Sequence, residues 1–382
     1  MSGLPAAAPE PPWEARTGAP ERAAVPVSVA AGTLELASVQ VLRAISAIAI
    51  TILHVAQSAG VFVGRPGEAP YPWLKFLPWD ASVDIFFVIS GFVMVYASSR
   101  LFARPGAVRL FAGRRLARIV PLYWAATTLV LLVALASPAM LSEPLGGGIA
   151  YILASYFFIP WQRPDGFIQP IFRLGWTLNY ELLFYTTFAL FVGLRRGRAV
   201  AGVSAVMIAL AGAGLALRPD NPQLRFWTDP IILEFAAGML VAQLLLADVR
   251  LRSSACIALA VLGVAMLFVE GRADGPWRLL TYGVPATLFL AAGTLGRPGG
   301  RPPSRTMRLG ILLGDASYAI YLVHPFPMRA FAVLWARLHW TGMSGILCYI
   351  AATVLFACAV AVFVHLRIEM PLTRWVRRRI AV

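Results

Sequence analysis

Charged residues are scarce in this chain, making up 13% of its 382 residues, whereas hydrophobic residues make up 59%. In an ordinary soluble domain about a quarter of the residues are charged and about half are apolar. So little polar surface cannot cover a water-soluble particle of this size, and the mean hydropathy is +0.72. The composition therefore excludes an ordinary soluble protein and predicts a polytopic membrane protein whose first partner is the lipid bilayer.

Acidic residues and cysteines are also few. The chain has 18 acidic against 33 basic residues, which gives a net charge of +15. The basic residues are nearly all Arg and stand in short runs between apolar segments, a pattern typical of topology determinants, so we expect no nucleic-acid partner. Cys256, Cys348 and Cys358 all lie in apolar stretches. There Cys usually packs as a small hydrophobic residue, and no disulfide framework is expected.

Ten apolar segments are long enough for the roughly 20 residues that a bilayer requires. They begin near residues 37, 82, 117, 177, 199, 230, 254, 278, 309 and 343. A shorter segment at 149–160 is ambiguous. Residues 1–36, rich in Ala, Pro and Glu, predict a disordered tail. The sequence thus divides into this tail, a membrane domain at 37–370 and a basic cytoplasmic C-terminal tail at 371–382.

The arginines orient these segments, because basic loops stay on the cytoplasmic side. The loop at 99–116 contains five Arg and must be cytoplasmic. The later Arg clusters at 195–198, 297–308 and 374–379 reach the same side only if 149–160 does not cross the membrane. We therefore predict an all-α integral membrane bundle of about ten transmembrane helices with both termini cytoplasmic.

Ionisable residues inside the predicted spans indicate a functional site, because each costs at least ~2.5 kcal/mol at the bilayer centre. Arg43 and His54 are eleven residues apart, within roughly 20° of three helical turns and about 16 Å along the axis, so they share one face. The remaining four are Asp84, Glu181, Glu234 and His324. Estimated depths place these four and His54 at one outer-leaflet level, opposite Arg43. The alternative is that the carboxylates lie at the membrane interface and the histidines form ordinary hydrogen-bonded helix contacts.

The motifs around these residues resemble the membrane acyltransferase-3 family from about residue 38 onward. The spacing Arg43-(ten residues)-His54 resembles the family's hallmark. The further blocks follow in family order: VDIFFVISGFVM at 83–94, RRLARIVPLYW at 114–124, GWTLNYELLFY at 175–185, LEFAAGML at 233–240 and GDASYAIYLVHPF at 314–326. Their wording most resembles the exopolysaccharide-production (ExoZ-type) acyltransferases. Leu182 departs from the wider family, which more often has Glu or Gln there, and is not expected to be catalytic.

The resemblance implies an O-acyltransferase in a bacterial cytoplasmic (inner) membrane. The acyl group, acetyl most often and succinyl as the alternative, would pass from cytoplasmic acyl-CoA to a sugar hydroxyl of an exopolysaccharide or other cell-surface glycan. A sugar hydroxyl needs a positioned base, most often His, and His54 is assigned that role or that of acyl acceptor. Asp84 or Glu181 would orient its imidazole.

Acyl-CoA enters as a co-substrate, and neither a bound cofactor nor a metal is expected, since Asp80 and Asp84 lack a further oxygen ligand nearby. Arg43, Arg115 and Arg118 would bind the CoA phosphates. Candidates for contact with the sugar or the oxyanion are Ser90, Trp176, Asn179, Tyr180, Glu234, Ser317, Tyr318 and His324. The expected acceptor is a sugar or a lipid-linked oligosaccharide, and polysaccharide-assembly proteins are further expected partners.

Two other functions fit the intramembrane charges. A transporter or flippase of lipid-linked sugars would use carboxylates and histidines as proton relays, and it predicts repeat symmetry and helices broken in mid-membrane. The sequence shows neither feature. A polyprenyl-dependent glycosyltransferase would need an acidic pair in an outer loop and would leave Arg43 unexplained.

Overall fold

The computed structural model describes residues 34–62, 77–136, 148–268, 277–297, 304–340 and 342–380. Within these ranges the chain is helical, and its extended pairings are the isolated bridges Gln162–Ile168 and Leu251–Gly296. The all-α fold class is therefore confirmed. The predicted disordered tail lies outside the described residues except for 34–36, which open the first helix.

Fifteen α-helices are formed by the described residues. In chain order they are α1 (Leu34–Phe62), α2 (Ala81–Ala97), α3 (Ala107–Ala136), α4 (Gly148–Tyr156), α5 (Trp176–Phe191), α6 (Arg196–Leu217), α7 (Pro222–Trp227), α8 (Leu233–Leu246), α9 (Ser253–Leu267), α10 (Val284–Thr294), α11 (Arg305–Asp315), α12 (Ser317–Val323), α13 (Pro325–Ala336), α14 (Gly342–Val364) and α15 (Met370–Arg379). Short 3-10 turns at Arg173–Gly175 and Pro230–Ile232 precede α5 and α8, and π-helical turns at Leu279–Gly283 and His365–Glu369 precede α10 and α15.

All ten predicted apolar segments are helical in the structure. Five helical stretches are long and apolar enough to cross a membrane, namely Ala37–Ala59, Ala107–Ala136, Arg196–Leu217, Pro222–Leu246 and Gly342–Arg379, and the bent pair α12 and α13 makes a sixth. Shorter apolar helices lie at Ala81–Ala97, Ser253–Leu267 and Leu279–Thr294. The remaining predicted segment is α5, with 16 residues. Several spans of an integral membrane protein are thus present, while the number ten and the side of the termini stay predictions.

The ambiguous segment at 149–160 forms only the nine-residue helix α4. At about 1.5 Å per residue such a helix is roughly 14 Å long, under half of a hydrocarbon core of about 30 Å. Tyr123 of α3 donates from its hydroxyl to the carbonyl of Ser155 at 2.8 Å, and Tyr151 packs into the interior. This short helix is therefore tied to α3 and is too short to span.

The segment that begins near residue 309 is not the continuous helix that the sequence reasoning assumed. It is divided into α11, α12 and α13, and the last two are bent by 53° at His324. Pro325 follows directly as the first residue of α13, where its missing N–H interrupts the backbone hydrogen bonding. The expectation that no helix is broken is wrong, and the break lies at a predicted site residue.

Glycines set the closest helix crossings around the site. A Cβ on Gly91 of α2 would collide with the carbonyl of Phe235, and a Cβ on Gly238 of α8 would collide with that of Val88. Gly314 of α11 packs in the same way against the backbone of Gln40 in α1. These crossings fix α2 on α8 and α1 on α11, and so position the polar residues that α1 and α2 contain.

Candidate active site

A pocket of about 770 Å³, open mouth included, lies between α1, α2, α3, α5 and α12. Phe86, Phe87 and Leu178 contribute apolar wall. Its polar lining residues are Arg43, Ser90, Arg115, Arg118, Thr177, Glu181, Tyr185, Ser317, Tyr318 and Tyr321. A mainly apolar cavity with a few converging polar groups is the usual form of a small-molecule site.

Arg43, Arg115 and Arg118, predicted to act together, all line this pocket. Arg43 donates from Nε to the hydroxyl of Ser317 at 3.1 Å, which fixes the guanidinium and leaves its terminal nitrogens for a ligand. Arg115 and Arg118 are three residues apart on α3 and therefore face the same side. The Arg115 guanidinium packs over Phe111 at 5.8 Å, and its buried Nε has no hydrogen-bond partner. One face of the pocket is thus prepared for an anion.

Glu181 is held on the opposite wall by two hydroxyl groups. Ser90 and Tyr185 each donate to its Oε1 at 3.0 Å. Tyr185 lies one turn after Glu181 on α5, so the two side chains share a face. Glu181 is within electrostatic range of Arg43 and Arg115. It is therefore part of the arginine pocket and does not contact His54, for which it had been considered as the orienting carboxylate.

His54 instead bonds to His324. The distance from Nδ1 of His54 to Nε2 of His324 is 2.8 Å, and the two rings are stacked with centroids 5.1 Å apart. His324 is fully buried and lies at the bend between α12 and α13, whereas His54 is only half-buried. The structure therefore pairs two residues that the sequence placed at a common depth, and His54 is the less buried of the two.

A backbone carbonyl fixes the tautomers of this pair. Nδ1 of His324 lies 3.0 Å from the carbonyl oxygen of Ile320, which can only accept. The proton of His324 is therefore on Nδ1, and its Nε2 accepts from the Nδ1–H of His54. When His54 is neutral, its own Nε2 carries a lone pair and no proton. The chain of hydrogen bonds thus leaves the basic nitrogen on the accessible member of the pair.

Asp84 and Glu234 form a separate buried cluster with Arg278. Both carboxyl groups are completely buried. Arg278 donates to Oδ2 of Asp84 at 2.6 Å, whereas Oδ1 of Asp84 and both carboxyl oxygens of Glu234 have no hydrogen-bond partner among the described residues. A single guanidinium balances one negative charge, and here it pairs with Asp84, so Glu234 is buried without a charge partner. The cluster joins α2 and α8 to the turn before α10, and Asp84 does not orient His54.

The prediction that five residues meet at one level is therefore only partly right. His54 bonds to His324, Asp84 pairs with Arg278, and Glu181 lies apart from both pairs in the arginine pocket. Depth estimates fix a residue along the helix axis but not its direction around it. Asp84 and Ser90, for example, are six residues apart and point about 120° from each other on α2, so they serve different neighbours.

The other candidates are distributed unevenly. Ser317 and Tyr318 both line the pocket. Tyr318 donates its hydroxyl proton to the carbonyl of Ile119 at 2.7 Å. Ser317 accepts from Arg43, and its own hydroxyl proton therefore remains available to a ligand. The rest do not line the pocket. Trp176 and Tyr180 pack edge to face against Phe87, Tyr180 also stacks on Phe226 at 3.8 Å, and Asn179 is buried with neither amide atom paired.

Sequence reasoning missed two side chains that complete these contacts, and one further buried pair. Tyr185 could have been found from its i, i+4 spacing to Glu181. Arg278 precedes a predicted span and seemed to be an ordinary flanking residue, although it supplies the positive charge for Asp84. The further pair is His365–Glu369, also at i, i+4, whose 2.8 Å contact lies inside the last long helix.

Comparisons with known proteins agree with this architecture. The model of the family described as "Acyltransferase domain" (Acyl_transf_3) matches residues 36–362, which include every predicted site residue. No solved structure matches the chain significantly. Family membership answers the choice between an enzyme and a transporter in favour of an acyltransferase.

Two curated proteins are similar to this chain over most of its length. The exopolysaccharide production protein ExoZ of Rhizobium meliloti (strain 1021) is 36% identical over 303 residues, which cover 78% of this chain and 91% of the relative. The acyltransferase MdmB of Streptomyces mycarofaciens is 26% identical over 320 residues, which cover 78% of this chain and 80% of the relative. Together with the apolar helices, these findings show that the chain belongs to the acyltransferase-3 family and is an integral membrane acyltransferase.

Proposed function

We propose that the enzyme moves an acyl group from cytoplasmic acyl-CoA to a sugar hydroxyl of an exopolysaccharide or other cell-surface glycan. Acetyl is the proposed group, with succinyl as the alternative. The relation to a protein named for exopolysaccharide production supports the glycan acceptor. The acceptor is a free or lipid-linked oligosaccharide, and polysaccharide-assembly proteins are its proposed partners.

The observation that carries the proposal is the double link between α1 and the segment formed by α12 and α13. Arg43 bonds to Ser317 at one end of this contact, and His54 bonds to His324 at the other. The two α1 residues are about 16 Å apart along the helix axis. A ligand with phosphates at one end and a thioester at the end of a long flexible arm fits such an arrangement. Acyl-CoA has this form.

In this proposal the donor's phosphates bind to Arg43, Arg115 and Arg118. Arg guanidinium groups pair with phosphate oxygens through two parallel hydrogen bonds, which a Lys ammonium cannot reproduce. Arg43 keeps its terminal nitrogens available because Ser317 accepts only from Nε. The apolar wall of Phe86, Phe87 and Ile89 then receives the pantetheine arm.

The chemical step needs a base for the sugar hydroxyl, and Nε2 of His54 is that base. It takes the hydroxyl proton while the sugar oxygen attacks the thioester carbonyl carbon. The resulting oxyanion collapses, the carbon–sulfur bond breaks, and the CoA thiolate leaves and takes the proton back from His54. His324 accepts from Nδ1 throughout, so that the imidazolium remains hydrogen-bonded while it exists. The open alternative is that Nε2 first accepts the acyl group itself.

We also propose the topology that this two-sided reaction requires. Ten helices cross a bacterial cytoplasmic membrane, both termini are cytoplasmic, and α4 does not cross. The short length of α4 supports this arrangement. A second support is that the arrangement places all the Arg clusters on the cytoplasmic side.

Analysis of the glycan tests the proposed function directly. Ester groups would be quantified by NMR in polysaccharide purified from the parent strain, a deletion strain and a complemented strain. The proposal expects one acyl ester to disappear on deletion and to return on complementation. Unchanged esters in the deletion strain would contradict a glycan acceptor. Purified protein supplied with acetyl-CoA or succinyl-CoA and deacylated glycan would then identify the donor.

A further inference from the structure

The last long helix of the chain extends well beyond the thickness of a bilayer. From Gly342 to Arg379 it is helical over 38 residues, with π-helical turns at His365–Glu369. At about 1.5 Å per residue this is roughly 57 Å, against a hydrocarbon core of about 30 Å. Its final part, α15, packs against α3, whose basic first half contains Arg114, Arg115 and Arg118. The family match ends at residue 362 and does not reach α15.

The packing of α15 on α3 brings Arg377 close to Arg114, Arg115 and Arg118, and these four residues are called the basic surface below. Arg377 lies within electrostatic range of Arg114 and Arg118, and Arg115 is within range of Arg118 and Arg377. Among the described residues Arg377 forms no ion pair, and its buried Nε has no hydrogen-bond partner, like that of Arg115. Like charges this close repel each other, and an unpaired buried N–H is unfavourable. Both costs are relieved by a bound polyanion.

This basic surface is continuous with the pocket. Arg115 and Arg118 line the pocket, and Arg377 lies within electrostatic range of both. Three acids also lie within electrostatic range of Arg43: Glu181, Asp315, which accepts from Gln40, and Glu369, which bonds to His365. The arginines therefore form one connected group from Arg43 on α1 to Arg377 on α15.

We propose that Arg377 binds the nucleotide end of the acyl donor, so that α15 closes the donor site. This rests on the proposed use of acyl-CoA. CoA has a pyrophosphate and a 3′-phosphate on its adenosine, which is more negative charge than Arg43, Arg115 and Arg118 alone can pair bidentately. The C-terminal helix is thus a binding element and not only a topology signal.

The residue next to Arg377 on α15 is a matched control for the substitution of Arg377. Arg378 is the next residue, is exposed, and points away from the partly buried side of α15 on which Arg377 lies. Arg379 is also exposed and packs over the ring of Trp375 at 5.4 Å. If the basic residues served only to keep this end in the cytoplasm, Arg377 and Arg378 would be equivalent.

The experiment compares full-length Arg377→Gln and Arg378→Gln in detergent. Binding of acetyl-CoA, adenosine 3′,5′-bisphosphate and S-acetylpantetheine, which has no phosphate, is measured by calorimetry, and size-exclusion profiles confirm folding. Arg377→Gln should weaken the two phosphate-containing ligands by about tenfold, the effect of one charge-assisted hydrogen bond. S-acetylpantetheine should bind equally to both variants and to the wild-type protein.

Two results would overturn the inference while leaving the donor in place: wild-type affinity in Arg377→Gln, or equal weakening in both variants. A third such result is that added phosphatidylglycerol abolishes the difference in affinity between Arg377→Gln and Arg378→Gln, which would identify a lipid headgroup as the occupant. Failure of wild-type protein to bind acetyl-CoA would instead contradict the proposed donor. Arg377→Lys serves as the charge-conserving variant and should recover part of the affinity.

Discussion

Nδ1 of His54 and Nε2 of His324 are 2.8 Å apart, and the carbonyl of Ile320 determines which of the two rings supplies the proton. His324 can only accept from His54, because its own proton is directed to that carbonyl. The free lone pair is then on Nε2 of the more accessible histidine. A neutral imidazole thus occupies the place that a carboxylate takes in a Ser-His-Asp triad.

This arrangement predicts different outcomes for two substitutions of His324. Gln keeps an oxygen that can accept from Nδ1 of His54, whereas Leu cannot. His324→Leu should lower kcat by about tenfold to a hundredfold, part of the 10²–10⁴-fold that a positioned base supplies, with the KM for acyl-CoA unchanged. His324→Gln should recover most of kcat. Steady-state kinetics on purified protein measures both, and equal losses in the two variants would show that His324 acts only through packing.

Replacement of Arg43 by Lys tests the donor site inside the pocket. Arg43 uses Nε for Ser317, and the proposal assigns its terminal nitrogens to phosphate, two roles that a single ammonium cannot combine. Arg43→Lys should weaken acetyl-CoA binding about tenfold. Ser317→Ala, which keeps the charge and loses only the positioning bond, should have a smaller effect. Unchanged affinity in Arg43→Lys would remove Arg43 from the donor site and leave Arg115 and Arg118.

The buried cluster of Asp84, Glu234 and Arg278 predicts an asymmetric effect on stability. Removing the guanidinium leaves the buried Asp84 carboxylate without its ion-pair partner, so Arg278→Ala should destabilise the protein by roughly 3–5 kcal/mol. Glu234→Gln keeps the Asp84–Arg278 pair and should be close to neutral. Thermal unfolding in detergent measures both. The control is Arg250→Ala, whose ion pair with exposed Asp248 should be worth at most about 1 kcal/mol. A similar loss in all three variants would contradict the buried cluster.

The topology is tested by single cysteines in a background lacking Cys256, Cys348 and Cys358. Gly147→Cys and Asp165→Cys flank the α4 region, and Gly197→Cys lies in the Arg195–Arg198 cluster, where an added Cβ meets no atom within 4 Å. With ten spans, a membrane-impermeant thiol reagent outside intact cells should label the first two and miss the third.

With eleven spans, Gly147→Cys would still react but Asp165→Cys would not, and Gly197→Cys would become reactive. That pattern would put Glu181 and the start of α5 at the cytoplasmic surface. It would contradict a reaction in which donor and acceptor arrive from opposite sides of the membrane.

The sequence predicted the helices and the family better than the contacts within the site. All ten apolar segments are helical, and Arg43, Arg115 and Arg118 do line one pocket, because hydropathy and i, i+3 spacing are local properties. The azimuth of Asp84 and the partner of His54 depend on how helices pack, which one sequence does not specify. The bend at His324 had a visible signal in Pro325. The role of Arg278 had none, since its partners are distant in the chain.

The central claim is that His54 is the group through which acyl transfer proceeds. Its most direct test is the transfer of radiolabelled acetyl from acetyl-CoA to deacylated glycan by purified wild-type protein and His54→Ala, with acetyl-CoA binding measured on the same samples. The account predicts a loss of at least about a hundredfold in transfer, with donor binding retained because the phosphates bind about 16 Å away along α1. Wild-type transfer by His54→Ala would contradict it.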